Sequence, residues 1–310
     1  MCNRLIIIIL FVSQLAFGQD GLAFVRTDNA KTTVFTEKSD KEEEAILMTP
    51  FELDGGMIIV KAILNGIEQA FILDTGSPSL ILNNYTTTGK TTLISGVAGS
   101  SEALEVKLDE FLWAGVVVEN VNALSVDMSH FEKTIDRKIG GLIGYELIKN
   151  HELYIDYKSR IIRMYPRSIS GLNQNKKPLA SFPFEMQDHI PIIKAQIGNR
   201  ILRLGLDTGA EVNVLNTPFE KELSSDIQQT SLSSLVDLNN KFTQLTKAKI
   251  ASTKIGAVKY REMEYLFVNL SDVNQDEENQ LDGILGYPFF STCTLSINFE
   301  TQRVYIWEVE

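Results

Sequence analysis

Apolar residues fall along this chain in short runs broken by glycine, proline and asparagine. Runs of this length, bounded by turn formers, read as strands rather than helices. Residues 57–64 and 69–73 are predicted strands, with Asn65-Gly66 as a tight hairpin turn between them. Residues 110–114 and 116–118 are strands interrupted at Gly115, and 152–157 with 160–165 form a closing hairpin. The most informative stretch is residues 71–82, Phe-Ile-Leu-Asp-Thr-Gly-Ser-Pro-Ser-Leu-Ile-Leu. An apolar run delivers Asp74 to its end, Thr75 and Gly76 turn the chain, and a second apolar run leads away. A carboxylate inside such a frame is costly unless it is paired or used.

The stretch recurs at residues 204–216, Leu-Gly-Leu-Asp-Thr-Gly-Ala-Glu-Val-Asn-Val-Leu-Asn. One Asp-Thr-Gly alone reads as a polar turn after a strand. At about 5–7% usage per residue it arises by chance in a few per cent of chains this long. Two copies call for a test of internal duplication. Pro50-Phe51-Glu52 matches Pro183-Phe184-Glu185, Lys61-Ala62 matches Lys194-Ala195, and Asp74 matches Asp207, all 133 residues apart and without a gap. A later block repeats at a separation of 142: Gly141-Leu142-Ile143-Gly144-Tyr145 matches Gly283-Ile284-Leu285-Gly286-Tyr287. The second copy is therefore longer by nine residues, expected near its glycine-free stretch at 231–240.

An apolar-Asp-Thr-Gly followed in each copy by Gly-apolar-apolar-Gly resembles the aspartic peptidases, and copies this short resemble retropepsin-type lobes fused in tandem. The resemblance covers residues 49–307. It implies an all-β molecule with few short helices, one of them at 145–149: two pseudo-twofold-related retropepsin/pepsin-like β-barrel lobes with the active-site cleft between them. It implies Asp74 and Asp207 as the catalytic pair. Thr75, Gly76, Ser77, Thr208, Gly209 and Ala210 support the two loops, each Thr locking the opposite loop through its hydroxyl. It also implies a mobile flap rich in small residues at Gly96, Val97, Ala98 and Gly99. Two carboxylates within reach of one another cannot both ionise at moderate pH, so one is acid and the other base toward a water held between them. This chemistry calls for no metal and no cofactor. Ser77 stands where the second copy has Ala210, so its hydroxyl is expected to donate to Asp74 and bias that residue toward the ionised role.

The remaining chain fills in the organisation. Residues 1–18 carry Arg4, an apolar run and a small-x-small site at Ala16-Phe17-Gly18, and read as a secretory signal peptide. Residues 19–48 read as a polar leader or prosegment, 49–167 as the first lobe, 168–181 as a linker and 182–310 as the second lobe. Signal removal leaves Cys293, in an apolar setting, as a buried small hydrophobe. A net charge of −11 argues against nucleic acid as a partner. The scattered His130, His151 and His189 form no zinc-protease motif, since Ile155 stands where His151-Glu152 would need a second histidine. The sequence thus reads as a secreted or periplasmic aspartic endopeptidase, a monomer acting on peptide or protein substrates with no stable membrane insertion after signal cleavage. The alternative is a catalytically inactive pepsin-like peptide-binding protein.

Overall fold

The computed structural model describes residues 46–85, 89–96, 99–166, 177–236, 242–274 and 280–309, with the two-residue strands β1 (Phe11–Val12) and β2 (Phe24–Val25). In the first half, β3 (Leu47–Pro50), β4 (Glu52–Asp54), β5 (Met57–Leu64), β6 (Ile67–Leu73) and β7 (Leu80–Asn83) precede a long meander. The meander is β8 (Thr91–Gly96), β9 (Gly99–Trp113) and β10 (Val116–Val126). Then come α1 (Ser129–Ile135), β11 (Gly141–Ile143), α2 (Tyr145–Ile148), β12 (His151–Asp156) and β13 (Ile161–Pro166).

The second half repeats the series. It runs β14 (Ala180–Pro183), β15 (Glu185–Gln187), β16 (Ile190–Ile197), β17 (Arg200–Leu206), β18 (Asn213–Asn216), α3 (Pro218–Glu222), β19 (Ile227–Val236), β20 (Phe242–Ile255) and β21 (Val258–Val268). It closes with β22 (Gly283–Leu285), α4 (Tyr287–Phe290), β23 (Cys293–Asn298) and β24 (Arg303–Val309). Ala180 and Ser181, placed in the linker by sequence, thus open β14. The molecule is all-β with a few short helices, as the pattern predicted.

Each half builds one sheet on the same plan. The first runs β8-β9-β10-β7-β11-β6-β5-β4, with β1 added beside β8 and β2 beside β10. The second runs β19-β20-β21-β18-β22-β17-β16-β15. In each, a three-residue strand from the second repeated motif, β11 or β22, lies between the two strands that flank an Asp-Thr-Gly turn. Those strands read as continuous apolar runs because both faces are covered: Phe71, Ile72, Leu73, Leu80, Ile81 and Leu82 are all fully buried. The motif glycines let backbones touch. A Cβ on Gly141 would fall 1.8 Å from the carbonyl oxygen of Ile81, and one on Gly283 would fall 2.2 Å from that of Val214.

A third sheet joins the halves in the order β14-β24-β23-β12-β13-β3. At its centre β12 pairs antiparallel with β23, Leu153 opposite Ile297. Buried Glu152 spans the seam, accepting from Ser296 Oγ at 2.5 Å and from Asn298 Nδ2 at 3.1 Å. Aromatic contacts repeat the symmetry. Tyr157 packs on Phe51 (5.6 Å between ring centroids) and reaches Tyr287 of the other half (5.7 Å). Phe299 packs on Phe184 (6.2 Å) and reaches Tyr145 (5.3 Å). One hydrophobic cluster runs through both halves and the joining sheet. Cys293 is buried within it.

The nine extra residues fall mostly earlier than the sequence placed them. On the returning strands Leu104 and Thr246 are equivalent, and they pair with Thr91 and Leu232. Residues 84–90 precede Thr91, whereas 217–231, including α3, precede Leu232. The insertion therefore lengthens the approach to the second hairpin more than its tip.

Candidate active site

The turn after β6 and the turn after β17 carry Asp74 and Asp207, and both residues are fully buried. Each carboxyl is held by its own turn. Gly76 N–H donates to Asp74 Oδ1 at 2.9 Å, and Gly209 N–H donates to Asp207 Oδ1 at 2.8 Å. The main chain of each turn is tied back to the inserted strand, Asp74 N–H to Ile143 O at 3.0 Å and Asp207 N–H to Leu285 O at 3.1 Å. The apolar motif strand thus fixes the height of each carboxylate.

A reciprocal lock between threonines brings the turns together. Thr75 Oγ1 donates to Leu206 O at 3.1 Å and accepts from Thr208 N–H at 3.0 Å. Thr208 Oγ1 donates to Leu73 O at 2.8 Å and accepts from Thr75 N–H at 3.0 Å. Four buried hydrogen bonds therefore cross between the halves through two hydroxyls, and each hydroxyl uses both of its roles. The approach is close: a Cβ on Gly209 would come 2.6 Å from Asp74 Cγ. Gly144 and Gly286 stand beneath the turns, where a Cβ would come 2.3 Å from Ser79 O and 2.4 Å from Ala210 O.

Burial is the first cause raising both acids. Asp74 lies well above the ordinary carboxylate range, raised by desolvation and then by the charge of Asp207. Asp207 is pushed up to about 7 by burial, partly offset by hydrogen bonds from Asp74, Gly209 and Gly76. Two carboxyls raised in this way and coupled to each other disfavour carrying a charge on both at once. Their Oδ2 atoms are buried and bond to no protein group.

The Ser77 hydroxyl does not serve Asp74. It donates to Ser79 O at 3.2 Å, because the chain path through Pro78 places that carbonyl beside it. The main-chain N–H of Ser77 favours ionised Asp74 instead. The hydroxyl difference at Ser77 and Ala210 therefore gives no ground for assigning the ionised role to Asp74. Ala210 is fully buried and accepts through its carbonyl from Tyr287 N–H at 2.8 Å, as Ser77 does from Tyr145 N–H at 2.8 Å. Gly96 and Gly99 face each other as the last pair of the β8–β9 hairpin. Val97 and Ala98, at its tip, lie outside the described residues.

Two residues of the site were not singled out by sequence. Asn213, fully buried at the start of β18, accepts from Gly286 N–H at 3.0 Å and donates to Glu264 O at 3.1 Å. An amide inside the run Val-Asn-Val-Leu was the available signal. His189 is buried with Nε2 2.9 Å from Gly76 O. Its signal was positional, since the fixed separation sets it opposite Gly56.

Among the described residues no cluster of histidine, cysteine and acidic side chains could hold a metal ion, and no helix is long and apolar enough to cross a membrane. No curated protein matches the chain. Residues 193–289 match the family model described as Aspartyl protease, a span that takes in Asp207-Thr208-Gly209 and Gly283 to Gly286. With the turn, the inserted strand and the motif glycines placed as above, the second half carries an aspartyl protease domain, retropepsin-like in fold, and that domain supports a peptidase.

Proposed function

We propose that the protein is an exported aspartic endopeptidase that cuts peptide bonds as a single chain, using Asp74 and Asp207 as its catalytic pair. The observation that carries this reading is the reciprocal threonine lock, which sets two buried carboxyls against each other with both Oδ2 atoms unengaged by protein. Those oxygens are the acceptors for a water lying between the acids. The ionised member takes a proton from that water as its oxygen attacks the scissile carbonyl carbon. The protonated member donates to the carbonyl oxygen. The tetrahedral gem-diol collapses as the newly protonated acid passes its proton to the leaving nitrogen, the other acid takes a proton back from a gem-diol hydroxyl, and the C–N bond breaks, which restores the singly protonated pair. Substrate enters as an extended strand, the mode in which main-chain hydrogen bonds supply affinity and alternate side chains supply specificity. The β8–β9 hairpin closes over it, its small residues allowing close backbone approach. Export follows from the signal-like residues 1–18.

The test is turnover of a peptide library by the purified chain, together with binding of a pepstatin-type transition-state inhibitor. Turnover and inhibitor binding that both vanish in Asp74→Asn support the enzyme. Peptide binding without turnover would replace it with a binding module.

A further inference from the structure

His189 lies in the turn between β15 and β16, within the second half, yet its ring reaches the catalytic turn of the first half. The partner is a carbonyl oxygen, Gly76 O, at 2.9 Å. A carbonyl only accepts, so Nε2 carries the proton and donates. The peptide group that receives this bond joins Gly76 to Ser77. Its other end, the Ser77 N–H, donates to the Asp74 main-chain oxygen at 3.2 Å, while the N–H of Gly76 itself donates to Asp74 Oδ1 at 2.9 Å. A donor on the oxygen of a peptide polarises its N–H, and hydrogen bonds in series strengthen one another where the dielectric is low. His189, peptide 76–77 and the Asp74 carbonyl form such a series, and it fixes the turn whose Gly76 N–H holds the Asp74 carboxyl.

The arrangement is made on one side only. The residue equivalent to His189 in the first half is Gly56, 133 positions earlier. Gly56 is pressed against Tyr287, where a Cβ would come 2.7 Å from the ring's Cγ. No side chain fits there, so Gly209 has no matching histidine from that turn.

We infer that His189 is a positioning residue for the pair: it holds and polarises the 76–77 peptide and so favours the singly ionised state of Asp74 and Asp207. This rests on the reading of that pair as the hydrolytic dyad. The experiment uses the full chain as wild type, His189→Ala and His189→Gln, the last retaining an Nε2 donor. Two readouts are taken: the pH–rate profile on one peptide, and carbon-13 titration of the aspartate carboxyls. In His189→Ala the acid limb and the lower pKa of the pair should both move up by about half a unit or more, because loss of a donor disfavours the anion. The rate constant kcat should fall about tenfold with KM within about twofold, the pattern of a lost transition-state interaction. His189→Gln should stay close to wild type in all of these. His189→Leu, which fills the space without donating, carries the alanine expectation and replaces that variant if it does not fold. An unshifted carboxyl titration in the folded alanine or leucine variant overturns the inference, whatever the turnover. A shifted titration in a protein that cuts no peptide leaves the inference standing and removes the peptidase reading instead.

Discussion

Replacing Asp207 by asparagine should remove activity and at the same time make the fold more stable at neutral pH. Asp207 is fully buried, and its pKa is raised from about 3.8 to about 7. Between those values the folded chain keeps a proton that the unfolded chain has released. The native state therefore binds more protons, and stability falls as pH rises through that window. The penalty is absent below about pH 4 and complete above about pH 7. About three pKa units at about 1.4 kcal/mol each set its size at roughly 4 kcal/mol. Asparagine keeps the shape and carries no charge, so Asp207→Asn relieves the penalty. Urea unfolding of wild type and variant across pH 3.5–8.5 measures it. The two midpoints should coincide near pH 3.5 and diverge upward, the variant gaining up to roughly 4 kcal/mol by pH 8 with an unchanged slope m. A difference that stays flat with pH, or that favours the wild type at pH 8, would refute the account of Asp207 as a desolvated, raised acid.

Asp74→Asn and Asp207→Asn should each abolish peptide turnover with the fold retained by circular dichroism, and the double variant should lose little more, since the pair acts as a unit. Thr75→Val keeps shape but leaves Leu206 O and Thr208 N–H buried and unpaired, at about 1–3 kcal/mol each; denaturant unfolding should show a loss of about 2–4 kcal/mol, with Thr75→Ser near wild type. Gly209→Ala forces a methyl against the Asp74 carboxyl, and kcat should drop about a hundredfold or more, as displacements near 1 Å do. Ser77→Ala should leave the acid limb of the pH–rate profile in place, because the hydroxyl bonds to Ser79 O and not to Asp74; an upward shift would show that the hydroxyl serves the dyad in solution.

Much of this architecture is written in residue type and spacing. The Asp-Thr-Gly turns and the strands flanking them were legible because the apolar run ending in Asp-Thr-Gly occurs twice, 133 residues apart, inside a longer repeat. The second motif was legible as a repeat, and the structure supplies its reason: its glycines lie where any side chain would strike the neighbouring backbone. The long meander was read short. The strand expected at 110–114 belongs to β9, which spans Gly99–Trp113, because its exposed Lys107, Asp109 and Glu110 dilute the apolar pattern. The direction of a hydroxyl was not legible. Ser77 invited pairing with Asp74, but the path of residues 77–79 decides what its oxygen meets. The position of the insertion failed for a related reason: absence of glycine at 231–240 located a difference in composition, not in length. His189 was passed over because isolated histidines carry no motif, and its partner is a main-chain atom with no sequence signature.

The central seam of the joining sheet, β12 against β23, has an evolutionary consequence. An assembly of two identical chains with closed twofold symmetry must present the same patch twice, so a change on one side is forced on the other. Here the two sides of the seam belong to one polypeptide, with Glu152 facing Ser296 and Asn298 rather than a copy of itself. Each half is free to drift alone. The chain uses that freedom where identical chains could not: Gly56 opposite His189, Pro78 opposite Glu211, Leu80 opposite Asn213. Differences between the two halves in the packing around the paired turns are thus available by single substitutions, while the turns themselves stay matched.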